Sequence, residues 1–151
     1  MGNAENPATG AKFETVVRDF FSRQGLALQP DFPVEVGFTP PLKRHNFDLG
    51  CADQPTLIEC KCHTWTEGGN APSAKLAVWN EAMFYFTATP HQYRKILAVL
   101  RHFRGAETLA EHYLKRFRHL VPIGVEIWEI AADGQSGRFV HPSKPNGEYT
   151  F

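Results

Sequence analysis

A chain of 151 residues with 42% hydrophobic and 13% aromatic content can fill one core but is too short for two comfortable domains, so a single domain over residues 1–151 is expected. Lys plus Arg equals Asp plus Glu at 16 each, which excludes a global positive field; any contact with phosphate must come from a local patch. There is no run of about 18 apolar residues, and residues 1–7 lack the basic start and apolar run of a secretory signal, so a soluble, cytoplasmic protein with no membrane partner is expected.

In chain order, residues 1–9 read as a polar end. A first helix is expected over 10–24, where Phe13, Val16, Val17, Phe20 and Phe21 recur at helical spacing and Gly25 supplies a stop. Residues 31–38 alternate apolar with small or polar, which predicts a strand with Phe32, Val34, Val36 and Phe38 on one face. Residues 39–45 then form a loop stiffened by Pro40-Pro41. Its end carries Lys43, Arg44 and His45, either as a phosphate contact or as a solvated basic loop.

Residues 46–62 hold two short apolar runs, 47–49 and 56–62, around the turn-prone Ala52-Asp53-Gln54-Pro55, and two antiparallel strands are the simplest reading. Along the second run Ile58, Cys60 and Cys62 point one way and Glu59 and Lys61 the other. On the first, Phe47 and Leu49 are expected to enter the core, which turns Asp48 to the opposite side, beside Glu59 and Lys61. The three cysteines, Cys51, Cys60 and Cys62, are best read as free buried thiols. A zinc site on Cys60, Cys62 and His63 would lack the usual second ligand pair.

Residues 63–72 form a glycine-containing loop in which Trp65 either stacks on a base or covers the core edge. A helix over 73–88 carries Leu76, Val78, Trp79, Ala82, Met83, Tyr85 and Phe86, a surface broad enough for burial on more than one side. Lys75, Asn80 and Glu81 are its polar exceptions. Residues 93–100 contain the continuous apolar run of a central strand. A helix over 108–119 sets Leu109, Tyr113, Leu114 and Phe117 against Lys115, Arg116 and Arg118. That basic patch either meets nucleic acid or complements the helix dipole. Residues 125–130 alternate as a last strand, and 131–151 form a tail without periodicity.

Asp48, ten residues, then Glu59-Cys60-Lys61 resembles the active-site motif of the PD-(D/E)XK nuclease superfamily, although Phe47 stands where the family has proline. The element order α-β-β-β-α-β-α-β over a core of about 10–130 is similar to its restriction-endonuclease-like fold, an α/β sandwich with a mixed central sheet. The resemblance implies a Mg²⁺-dependent DNA endonuclease of the restriction, homing or resolvase kind, with Mn²⁺ as a substitute ion. It implies Asp48, Glu59, the Cys60 carbonyl and Glu14 as metal ligands, Lys61 as the group acting on the attacking water, and Lys75 as an aid to metal or phosphate. An RNA-processing nuclease and a catalytically silent nucleic-acid-binding protein remain open on the same scaffold. Cutting both strands of a duplex calls for two sites, so a homodimer or a dimer of dimers is expected.

Overall fold

The stripe Phe13, Val17, Phe20 and Phe21 does form a helix, α1 (Pro7–Ser22), in the computed structural model, which describes residues 7–141. The helix begins three residues before the expected start and ends two before the expected stop. Gly25 is at φ 92°, and the N–H of Leu26 donates back to the Phe21 carbonyl at 3.1 Å, a glycine-terminated cap. Most of the expected polar N-terminal end, residues 1–6, and the tail segment 142–151 lie outside the described residues.

Strands β1 (Gln29–Val36), β2 (Lys43–Cys51) and β3 (Thr56–Lys61) follow, then helix α2 (Ser73–Thr87) and strand β4 (Arg94–Leu100). A small hairpin of β5 (Phe103–Arg104) and β6 (Glu107–Thr108) leads into helix α3 (Leu109–Phe117) and one 3₁₀ turn. Strands β7 (Val125–Ile130) and β8 (Gly137–His141) complete the order. The main sheet runs β1-β2-β3-β4-β7-β8 and is mixed: β3, β4 and β7 are mutually parallel and the other neighbours antiparallel. The fold is thus α/β with a mixed sheet, as the element order implied, but of six strands where that order held five. Among the described residues no helix is long and apolar enough to cross a membrane.

Two apolar layers sandwich the sheet. On one side α1 packs Phe13, Val17, Phe20 and Phe21 against Leu49, Ile58, Ile96, Ala98, Trp128 and Ile130. On the other, Leu76, Trp79, Met83 and Phe86 of α2 and Leu109, Tyr113 and Leu114 of α3 cover Leu57, Leu97, Val99, Val125 and Ile127. The run Ile96–Val99 is fully buried, as a strand covered on both faces must be. Helix α2 is apolar on two sides because it touches both the sheet and α3, where the Tyr113 hydroxyl donates to Asn80 Oδ1 at 2.7 Å.

Four expectations need correction. The first strand stops at Val36, and Phe38 leaves the buried face for solvent, where it meets the exposed Phe84 edge-on. Lys43, Arg44 and His45 are not loop: they begin β2, paired with Val36, Glu35 and Val34. The third helix ends at Phe117 and passes into the 3₁₀ turn at Arg118. The segment after Ala131 carries β8, which has little periodicity because it is only five residues long and four of them pair with β7, around a bulge.

That last strand is held by charge. Glu129 is wholly buried and accepts hydrogen bonds from the Thr108 hydroxyl and from Arg138 of β8, with Arg101 at 3.6 Å. Thr108 also caps α3, its side chain accepting from the Glu111 N–H while Glu111 accepts from the Thr108 N–H.

Candidate active site

The site forms where β2 and β3 part. Their ladder comprises Cys51↔Thr56, Gly50↔Leu57 and Leu49↔Ile58, and it stops one step short of pairing Asp48 with Glu59. The cause is a bend in β2. Leu49 packs beneath α1, but Phe47 crosses to the other face, where its ring stacks on Phe86 at 5.7 Å. The expectation that Phe47 and Leu49 share one face is therefore corrected; both are buried, on opposite sides of the sheet. Strand β1 follows the bend, pairing on either side of it, with Asp31 between at φ 51°. A non-glycine residue pays a steric cost there, which the flanking pairs hold in place.

Into this fork projects Asp48. Its Oδ2 accepts the Cys60 N–H at 2.8 Å, standing in for the lost ladder bond. The N–H and C=O of one strand residue face the same neighbour, so the Cys60 carbonyl faces the fork as well. Glu59 follows from β3 and Glu14 from the α1 face next to Phe13 and Val17. When protonated, both glutamates hydrogen-bond to the Asp48 carboxylate. Burial pushes the Glu59 carboxyl up to about 8, with the Asp48 charge adding to it and Lys61 opposing. Burial, then Asp48 and Asp31, raises Glu14 to about 7, again opposed by Lys61. Three carboxyls and one ammonium thus share a field. Glu14 joins Asp48, Glu59 and Lys61 in that field from the helix.

Facing this group across a small pocket is α2. Val78, Glu81, Ala82 and Tyr85 line it opposite Glu59, Lys61 and His45. His45 does not project outward as a loop phosphate contact would; its Nε2 lies 3.1 Å from Glu59 Oε1 and its ring stacks on Tyr85 at 3.9 Å between centroids. Burial lowers its pKa. The alternation of His45 with Phe47 along one strand is the sequence signal for this, and the preceding Pro40-Pro41 masks it by suggesting a loop.

The other candidate residues are less concentrated. Lys43 and Arg44 are exposed on β2 just beyond His45, on the side of the fork. Lys75 is half-buried one helical turn ahead of Val78. Lys115 pairs with Glu107 at 3.3 Å, and Arg116 lies over the Phe117 ring. Helix α3 starts beside Glu129 near the end of β7 and runs back toward the start of that strand. Arg116 and Arg118 therefore sit at the far end of the sheet from Lys61 and do not join it. Trp65 covers the core edge: it is 5% exposed, its indole N–H donates to the His102 carbonyl at 3.1 Å, and the Arg104 guanidinium lies 3.8 Å over its ring.

Among the described residues no group of three or more His, Cys, Asp or Glu is already arranged to hold a metal ion. The donor set nonetheless suits a hard cation. Glu14, Asp48, Glu59 and the Cys60 carbonyl offer oxygen only, and burial, reinforced by the neighbouring carboxylates and opposed by Lys61, raises Glu14 to about 7 and Glu59 to about 8, a penalty on negative charge that a bound cation would relieve. Compared with protein-family models, with curated proteins and with solved structures, the chain matches none.

Proposed function

We propose that this chain is a metal-dependent endodeoxyribonuclease of the PD-(D/E)XK kind, hydrolysing phosphodiester bonds in DNA. The observation that carries the reading is the gathering of Glu14, Asp48, Glu59 and Lys61 about the fork between β2 and β3. Asp48, Glu59, Glu14 and the Cys60 carbonyl would hold Mg²⁺, or Mn²⁺ in its place. Bound there, the ion would lend positive charge to the phosphoryl oxygens and lower the pKa of water.

The chain's own residues do the rest. Lys61 Nζ donates a hydrogen bond to the attacking water and places its charge beside the oxygens on which negative charge grows, an interaction stronger in the transition state than in the ground state. Exposed Lys43 and Arg44, on the strand that delivers Asp48, are placed to contact phosphates flanking the scissile one. One centre cuts one strand, so a duplex cutter works as a homodimer or a dimer of dimers.

The test is turnover of supercoiled plasmid and of structured RNA with Mg²⁺, with EDTA and a Lys61→Ala variant as controls, and light scattering for assembly. Nicked or linear plasmid formed only by wild type with Mg²⁺ is expected. Cleavage of RNA alone would move the activity to RNA processing; binding without turnover would leave a silent nucleic-acid-binding protein. A folded protein that neither binds nor cleaves nucleic acid refutes the reading.

A further inference from the structure

His45 belongs neither to the motif nor to the charges that a substrate backbone would meet, yet its ring lies within hydrogen-bond distance of Glu59. Its ring is clamped between two aromatics, parallel to Tyr85 at 3.9 Å and edge-on to Phe47 at 4.6 Å. The clamp leaves Nε2 aimed at Glu59 Oε1, 3.1 Å away. Asp48 approaches Glu59 from the fork, so the Glu59 carboxyl is gripped from two sides.

We propose that His45 is a positioning residue, whose Nε2–H fixes the Glu59 carboxylate so that its other oxygen is presented to a divalent cation at the fork. The proposal rests on the metal-site reading above and deepens it. A carboxylate at the end of a three-bond side chain must lose its rotamer freedom to act as a ligand, and a hydrogen bond from a ring already immobilised by Tyr85 and Phe47 removes that freedom before the ion arrives. The bend in β2 has a role here too. Because Phe47 crosses to the α2 side, His45 two residues earlier falls on the same side and reaches Tyr85. One distortion thus opens the fork for Asp48 and delivers the group that orients Glu59.

Partners of this kind typically alter metal affinity by about 10- to 100-fold when removed. The experiment measures Mn²⁺ affinity by calorimetry, and plasmid cleavage separately, for wild type, Glu59→Gln, His45→Phe and His45→Gln. His45→Phe keeps a flat ring on Tyr85 without the N–H; His45→Gln keeps an N–H donor without the ring. The expected result is an affinity at least about tenfold weaker in His45→Phe with its melting temperature preserved, and substantial recovery in His45→Gln. Wild-type affinity in a folded His45→Phe protein, or weak binding in His45→Gln alone, overturns the proposal, because then only packing matters. If wild type binds no Mn²⁺, proposal and metal site fall together. If affinities follow the expected order and no nucleic acid is cut, His45 keeps its role and the nuclease reading falls alone.

Discussion

Glu59→Gln should make the metal-free protein more stable at alkaline pH, by an amount that the burial of Glu59 sets. The Glu59 side chain is 9% exposed and its carboxyl titrates at about 8, against 4.5 for the unconstrained group. Below pH 4.5 both folded and unfolded chains hold this proton, and the full stability is present. From 4.5 to 8 the unfolded chain releases it while the folded chain keeps it, so stability falls by about 1.4 kcal/mol per pH unit and levels off above 8. The total is about 5 kcal/mol. Glutamine mimics the protonated acid: its amide N–H donates to Asp48 and its oxygen still accepts from His45. The variant and wild type should therefore melt together at pH 5 in EDTA and separate as pH rises, with Glu59→Gln higher by roughly 10–20 °C at pH 9. Glu14 is common to both proteins and cancels. Mg²⁺ should raise the wild-type melting temperature at pH 9 and leave the variant nearly unmoved. Parallel melting curves from pH 5 to 9 would mean that Glu59 ionises at an ordinary pH, and would remove the crowding argument for a cation.

Lys61→Ala should abolish Mg²⁺-dependent cleavage while changing the melting point little, because a half-buried polar-face side chain leaves no core cavity; DNA binding with non-catalytic Ca²⁺ should survive, and a Lys61→Ala protein cutting at the wild-type rate would take the lysine out of the mechanism. Gly50→Ala should destabilise by about 1–3 kcal/mol in urea melts, since a Cβ there would lie 2.3 Å from the Phe32 ring that packs over the strand; an unchanged midpoint would show that Phe32 can move aside. Arg138→Ala should cost about 3 kcal/mol by leaving Glu129 short of a partner, and adding Glu129→Gln should recover part of it; strictly additive losses would show that the two are not coupled.

Much of this architecture could be read from the chain because its period is unambiguous where both faces are buried. The α1 stripe, the 94–100 run and the alternation of 125–130 each have one solution that hides their apolar side chains, and each formed close to the expected place. The motif was legible for the same reason: β3 alternates strictly, so Glu59 and Lys61 had to share a face. What failed to show depends on long-range contacts that carry no local period. Strand β8 is specified by Arg138 finding Glu129, and Trp65 by Arg104 and His102 closing over it from another element. The crossing of Phe47 is of this kind as well. Strict alternation would put it beneath α1, and only its stacking on Phe86 and the neighbouring β1 draw it to the other face.

This exception is where the chemistry collects, and the coincidence has a physical basis. A regular antiparallel ladder would go on to pair Asp48 with Glu59 and then Phe47 with Cys60, whose N–H and C=O would both be spent on Phe47, leaving no polar atom to spare. Ending the ladder one residue early frees the Cys60 N–H, which the Asp48 carboxylate then accepts, and turns the Cys60 carbonyl toward the same opening. Acid side chains crowd there because the fork is deep enough to desolvate them, as the raised Glu14 and Glu59 carboxyls record. Straightening β2 should therefore undo the site without touching any acid. Phe47→Thr, which keeps strand propensity but gives up the ring on Phe86, removes the main contact holding the bend. If the bend makes the site, this variant should lose Mn²⁺ affinity more than a cavity of equal cost elsewhere in the same layer, such as Met83→Ala, when both are compared at temperatures of equal stability. Equal affinities in the two would show that Asp48 and Glu59 meet without help from the bend.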